Sequence, residues 1–253
     1  MRGLRAAVTL LTRIPAGGTA SERGALAGSV RWFPSVGALI GLVVGTIYAL
    51  GAEWLPSLVA GVIAVLVGVM VTGGLHEDGL GDIADAFGGG INHAEVARIL
   101  KDPRQGTFGV LAIAGALIVR AGALGSMSPL DGLAMAVAAH VTGRTAVVIA
   151  MRFQRPLGAG LAANYEGTVT IVDLVVGVGI GVGLGAVASG IWVVACLAIA
   201  LAVVRITGRL ALRKLGGTSG DVLGGIEQVV ESAILVLGAA TAHEGWIRPA
   251  WWA

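Results

Sequence analysis

The chain has 253 residues, 56% of them hydrophobic and only 13% charged, with a formal net charge of +2. A soluble domain carries about 25% charged residues, so this chain has too few polar side chains to coat one large apolar core, and the near-neutral charge gives no basis for binding nucleic acid. The single cysteine, Cys196, allows no intrachain disulfide.

In chain order, MRGLRAAVTLLTRIPAG comes first. Its short apolar stretch is interrupted by Arg13 and Pro15, which predicts a retained interfacial or re-entrant segment. Apolar runs close to the roughly 20 residues of a membrane span follow at 36–52, 56–75, 108–127, 131–151, 169–188, 190–207 and 229–243. The fifth and sixth form one run too long for a single span, divided near Ser189 and Gly190. The expected architecture is all-α: a polytopic integral membrane helical bundle of about seven spans, with residues 1–253 forming a single catalytic domain in the bilayer.

Basic residues test the topology. Arg2, Arg5, Arg13, Arg23 and Arg31 precede the first span, and the connection around Glu53 and Trp54 has none. Arg98, Lys101 and Arg104 lie in the next connection, and Ser126 to Leu130 has none. Arg152 and Arg155 follow, with Arg144 slightly earlier, and Arg205, Arg209, Arg213 and Lys214 end the series. This alternation obeys the positive-inside rule and places the N-terminus in the cytoplasm. Trp246, Trp251 and Trp252 then form an aromatic belt on the far side, and Arg120 and Arg248 are the exceptions. Two small-residue rows, Gly37/Gly41/Gly45 and Gly177/Gly181/Gly185, suit close helix packing and also permit a homo-oligomer.

The chemistry concentrates on the side expected to be cytoplasmic. In GGLHEDGLGDIADAFGGG, residues 73–90, Asp78, Asp82 and Asp85 are spaced i, i+4, i+7 and share one helical face. Like charges repel there, and each is costly near a bilayer, so a divalent cation is the simplest stabiliser. Carboxylates suit Mg²⁺ or Mn²⁺, and neither His76 nor His93 has the spacing of a zinc pair. In KDPRQGTFG, residues 101–109, Lys101, Asp102 and Arg104 precede glycines that can offer backbone N–H groups to phosphate. In GGTSGDVLGGIEQVVE, residues 216–231, Asp221, Glu227 and Glu231 follow a glycine-rich turn and are candidates for a second metal position. Acids for a metal and cations for phosphates at one membrane face point to phosphoryl transfer.

The order GGLHEDGLGDIADAFGGG, LKDPRQGTFGVLA, GGTSGDVLGG, with LTRIP at 11–15 and WFPSVGALIG at 32–41, resembles the cobalamin synthase family, the adenosylcobinamide-GDP ribazoletransferases. The resemblance implies a transferase of the bacterial inner membrane, multi-pass, with its active site on the cytoplasmic face and Mg²⁺ as cofactor. The implied reaction joins adenosylcobinamide-GDP to α-ribazole or its 5′-phosphate, giving adenosylcobalamin or its 5′-phosphate plus GMP. The implied metal set is Asp78, Asp82, Asp85, Asp221 and Glu231; the catalytic set is Asp82, Asp102, Arg104 and Lys101. The implied substrate contacts are His76, Arg13, Arg144, Thr107, Gly217 and Ser219. Glu77 stands where that family often has leucine, and Pro103 where it has serine. Two alternatives stand beside it: a CDP-alcohol-type membrane phosphotransferase, whose D-G-x₂-A-R pattern is broken here by Asp82, and a cation-coupled transporter, which needs polar groups near mid-membrane.

Overall fold

The computed structural model describes residues 2–17, 28–157 and 169–243, and no β-strand occurs among them. The elements are α1 (Arg2–Leu11), a 3₁₀ turn (Val30–Trp32), α2 (Phe33–Gly51), α3 (Ser57–Thr72), α4 (Leu75–Gly89), α5 (His93–Ile99) and α6 (Thr107–Gly125). They continue with α7 (Pro129–Phe153), α8 (Ile171–Ser189), a second 3₁₀ turn (Gly190–Trp192), α9 (Val193–Leu215) and α10 (Gly220–His243).

Helix α7 is the axis of the bundle. It starts on an N-cap, Ser128, whose side chain accepts from the Asp131 amide, followed by proline at the first helical position. Its middle is buried on all sides by α2, α8, α9 and α10. The first glycine row lets α2 meet it backbone to backbone: a Cβ on Gly41 would stand 2.6 Å from Val137 Cα, and one on Gly45 2.7 Å from Leu133 Cα. In the second row, Gly177 lies against Val148, Gly181 against Thr145 and Gly185 against Val193. Both rows are therefore filled within the chain.

Among the described residues, five stretches are long and apolar enough to cross a bilayer: Val30–Gly51, Thr107–Gly125, Pro129–Phe153, Ile171–Leu215 and Gly220–Ala242. Leucines such as Leu39, Leu42 and Leu66 are exposed on the outside of the bundle, as a lipid-facing surface requires. This is a multi-pass helical membrane protein. The fourth stretch has 45 residues, about 68 Å if straight and more than twice a hydrocarbon core. It turns back at Gly190, where φ is +56°. The turn is visible in the packing, because Gly177 on α8 and Gly208 on α9 both lie near the Phe153 end of α7, against Val148 and Gln154. The expected division at Ser189 and Gly190 thus falls on the observed break. The last helix starts at Gly220 rather than near residue 229, because the glycines and acids that lower its early hydropathy are buried against neighbouring helices.

Helices α3 and α4 meet at 93°. Gly73 and Gly74 make the corner with φ of +71° and +72°, a conformation that costs a side-chain-bearing residue dearly. Together the two helices pass as a sixth apolar unit, yet α4 itself lies across the end of the bundle, wedged between α6 and α10. Its far end is held by Lys214, whose ammonium donates to Phe87 O at 3.1 Å and Gly90 O at 3.2 Å. Helix α1 buries Ala6, Ala7 and Leu11 and exposes Arg2 and Arg5, an amphipathic segment lying against the 3₁₀ turn and α2. Asp173 caps α8 through Thr170 and pairs with Arg31 at 2.7 Å. The tryptophan belt, Arg23 and Arg248 lie outside the described residues.

Candidate active site

The glycines of the acidic motif decide where its carboxylates go. A Cβ on Gly79 would stand 2.9 Å from the Asp221 carbonyl oxygen and 3.1 Å from Asp221 Cα, so α4 and α10 touch through bare backbone. Gly224 completes the contact from the α10 side, with His76 O at 3.3 Å from its virtual Cβ. Asp78, Asp82 and Asp221, distant in sequence, are thereby brought together. Burial, reinforced by the charge of Asp78 and opposed by a hydrogen bond from Gln105, pushes the Asp82 carboxyl up to about 6; Asp221 and Asp85 add to the rise. Gln105 donates to Asp82 Oδ1 at 2.9 Å.

Asp78 lines two cavities. One, of about 630 Å³, is an open cleft that also holds Thr12, Arg13, Gly73, Gly74 and Gln105. The other, of about 260 Å³, has an apolar wall of Leu11, Phe33, Val147, Met151 and Leu223, with His76 and Asp221 completing it. Arg13, Asp78, Asp82, Asp221 and His76 are the sequence-derived candidates that the fold gathers.

Other candidates have different partners. Asp85 accepts from Gly106 N at 2.6 Å and Gly109 N at 2.9 Å. The N-terminus of α6, expected to meet phosphate, is therefore capped by Asp85, and both of its oxygens are engaged. Arg104 forks onto Asp102 at 2.9 and 2.7 Å. Those bonds hold the Asp102 carboxyl down at about 2, which makes it a poor proton acceptor near neutrality. Lys101 and Thr107 are exposed beside this loop. Gly217 admits the 155–157 segment, whose Leu157 N would lie 3.0 Å from a Cβ there. Thr218 bonds that segment in both directions, at 2.9 and 2.8 Å. Ser219 Oγ donates to Asp221 Oδ2 at 3.2 Å and accepts from Val222 N at 3.3 Å, so it starts α10 and steadies Asp221.

Arg144 and Glu231 belong to a second polar group deep inside the bundle. Arg144 is 1% exposed and donates to Glu227 and, at 2.9 Å, to Glu231. Arg120 bonds Glu231 at 2.8 Å and Glu77 at 3.1 Å. His140 Nδ1 lies 2.8 Å from Glu231, and His76 Nδ1 lies 3.5 Å from Glu227. Sequence reasoning left Arg120 as an exception and passed over His140. The available signal was opposite charges inside separate apolar spans, which pair because an unpaired charge there is too costly.

Ligand atoms of His140, Glu227 and Glu231 lie within 4.8 Å of one another, and no other trio among the described residues does. Two guanidiniums already supply the positive charge there, and the neighbouring cavity of about 10 Å³ holds no more than about one water. The Asp78, Asp82 and Asp221 carboxylates form no such closed trio. An open arrangement of carboxylates fits Mg²⁺, which keeps waters and binds through one or two carboxylates plus substrate phosphates.

A family model described as cobalamin-5-phosphate synthase matches residues 3–239. A relative from Chlorobaculum tepidum, named adenosylcobinamide-GDP ribazoletransferase, is 36% identical over 271 residues, covering 100% of this chain and 99% of its own. One of the same name from Chlorobaculum parvum is 38% identical over 251 residues, covering 94% and 95%. Another from Brevibacillus brevis is 28% identical over 233 residues, covering 91% and 95%. No solved structure matches.

Proposed function

The chain belongs to the cobalamin-5-phosphate synthase family, transferases of cobalamin synthesis, and from that premise we propose that it joins adenosylcobinamide-GDP to α-ribazole or its 5′-phosphate at the α4 end of the bundle. The observation that carries the placement is the backbone contact at Gly79, which sets Asp78 and Asp82 beside Asp221 between two cavities.

A ribose hydroxyl of the acceptor attacks the phosphorus bound to cobinamide, the bond from that phosphorus to the GMP oxygen breaks, and GMP leaves. Asp78 and Asp82 would hold Mg²⁺, which neutralises phosphate oxygens as charge moves to the leaving group. Arg13, in the same cleft as Asp78, offers a cation to the departing phosphate. Asp221 lines the smaller cavity beside Asp78, and in this reading it takes the hydroxyl proton. Gln105 fixes one oxygen of Asp82. Asp85, Asp102, Arg104, Gly217 and Ser219 act by holding the loops and helix starts around these groups.

Arg98, Lys101, Arg104, Arg152, Arg155 and Arg213 lie in the connections and helix ends at the α4 end of the bundle. The positive-inside rule makes that end cytoplasmic, in the inner membrane of a bacterium, with residues 1–253 acting as one catalytic domain. Purified protein in lipid, given adenosylcobinamide-GDP with either acceptor, is expected to release GMP and form the joined product only with Mg²⁺. Folded protein that yields no product would refute the reading.

A further inference from the structure

The two cavities that meet at Asp78 differ in size and character. The open cleft of about 630 Å³ carries hydroxyls, an arginine and an amide. The smaller one, about 260 Å³, is walled mainly by aliphatic and aromatic side chains. Ligand sites that hold drug-sized molecules are typically about 300–1,000 Å³. The smaller cavity therefore takes a single flat bicycle, not a nucleotide-linked corrinoid.

We infer that this cavity, whose apolar wall includes Leu11, Phe33, Val147, Met151 and Leu223, receives the base of the acceptor nucleoside and sets which bases the enzyme accepts. The inference rests on the proposed function and adds to it the specificity-determining residues. Two bases compete for the cavity. Guanine, on the donor, carries an amide and an exocyclic amine. The polar side chains of the cavity are His76, Asp78 and Asp221. With the two carboxylates assigned to the cation and the acceptor hydroxyl, those guanine groups would lose their water partners against an otherwise apolar wall, at a cost in binding. The base of α-ribazole is a dimethylated benzimidazole, with no N–H once joined to ribose and two methyl groups to bury. The polar groups of the cavity stand where a riboside needs them: Asp78 is shared with the phosphate-binding cleft, and Asp221 belongs to the cavity itself. A base seated on the apolar wall therefore leaves its ribose between Asp221 and the cation-holding carboxylates. Phe33 and Val147, 3% and 5% exposed, are fixed parts of the wall. Met151 is half-buried and adaptable.

The test measures KM for both substrates in lipid nanodiscs, using α-ribazole and the riboside of unmethylated benzimidazole as acceptors. Val147→Phe, checked for folding by its melting temperature, is expected to raise KM for α-ribazole by about tenfold or more, the effect of excluding a methyl-sized group. Its effect on the unmethylated riboside is expected to be smaller, and KM for adenosylcobinamide-GDP is expected to move by less than about threefold. The wild type is expected to prefer the methylated base, and Met151→Ala, which opens the cavity, to shrink that preference. Equal changes in both KM values for Val147→Phe, or an unaltered base preference in Met151→Ala, would overturn the inference. Wild-type protein that transfers to neither riboside would instead overturn the proposed function, and this inference with it.

Discussion

Replacing Gly79 by alanine separates positioning from stability. The added Cβ would meet the Asp221 carbonyl oxygen at 2.9 Å, Asp221 Cα at 3.1 Å and Gly224 Cα at 3.3 Å, where ordinary contacts begin at 3.4 Å. All three are backbone atoms, so no side chain can swing aside and α4 must move off α10 by about half an ångström. Overpacking costs about 1–3 kcal/mol, while alanine for glycine inside a helix returns about 0.5–1 kcal/mol. The net loss of stability is therefore about 0–2.5 kcal/mol. Turnover suffers more, because the movement carries Asp78 and Asp82 away from Asp221. A displacement of about 1 Å costs about a hundredfold in rate, so about tenfold is expected here. The assay pairs kcat in nanodiscs with thermal unfolding in detergent. Gly224→Ala, whose nearest atoms are at 3.3 and 3.4 Å, should lose less, and Gly122→Ala, with nothing within 4 Å, should lose nothing. Full kcat in Gly79→Ala, or an equal loss in Gly122→Ala, would refute the argument that this contact aligns the site.

Asp78→Asn and Asp82→Asn should each lower Mg²⁺-dependent turnover by at least about a hundredfold. Asp85→Ala should instead lower stability by about 1–2 kcal/mol through loss of the α6 cap, read as a drop in melting temperature. Arg120→Leu strands Glu77 and Glu231 without one of their partners and should cost about 3–5 kcal/mol; a melting temperature like that of the wild type would contradict the pairing. For pH, Asp82 titrates at about 6 in the fold against a usual 3.8, so the folded state holds its proton more tightly than the unfolded one. Its contribution to stability is full below about pH 3.8 and is lost as pH rises through about 6. In Mg²⁺-free buffer, the wild type should show this decline and Asp82→Asn should lack it.

The apolar runs and the break at Gly190 were legible because length, hydropathy and a lone glycine suffice to mark helices that must span or turn. The acidic face of α4 was legible for the same reason in reverse, since charge is scarce in this chain. What the sequence concealed was partnership. Asp85 belongs to the same i, i+4, i+7 face as Asp78 and Asp82, yet it turns to the α6 backbone. Nothing in a one-dimensional pattern distinguishes a cap from a ligand when the capped helix comes later in the chain. Arg144 and Glu231 were equally ambiguous: each sits near a span end in sequence, but the surrounding helices close over them. The glycines of the acidic motif carried more information than their spacing disclosed, because their meaning lies in the backbone of α10.

The carboxylates of α4 and α10 also impose an order on the making of this protein. Helix α4 leaves the ribosome early and α10 comes last among the helices described, with chain growth at about 5–20 residues per second. Until α10 arrives, Asp78 and Asp82 have no Asp221 beside them, and Arg120 and Arg144 have neither Glu227 nor Glu231. The nascent bundle must carry the Arg144 guanidinium in its interior without a carboxylate while Arg120 keeps only Glu77, and the final helix completes both sets of pairs as it seats the site. A chain cut short before α10 would thus lack both Asp221 of the site and the carboxylates that neutralise Arg144.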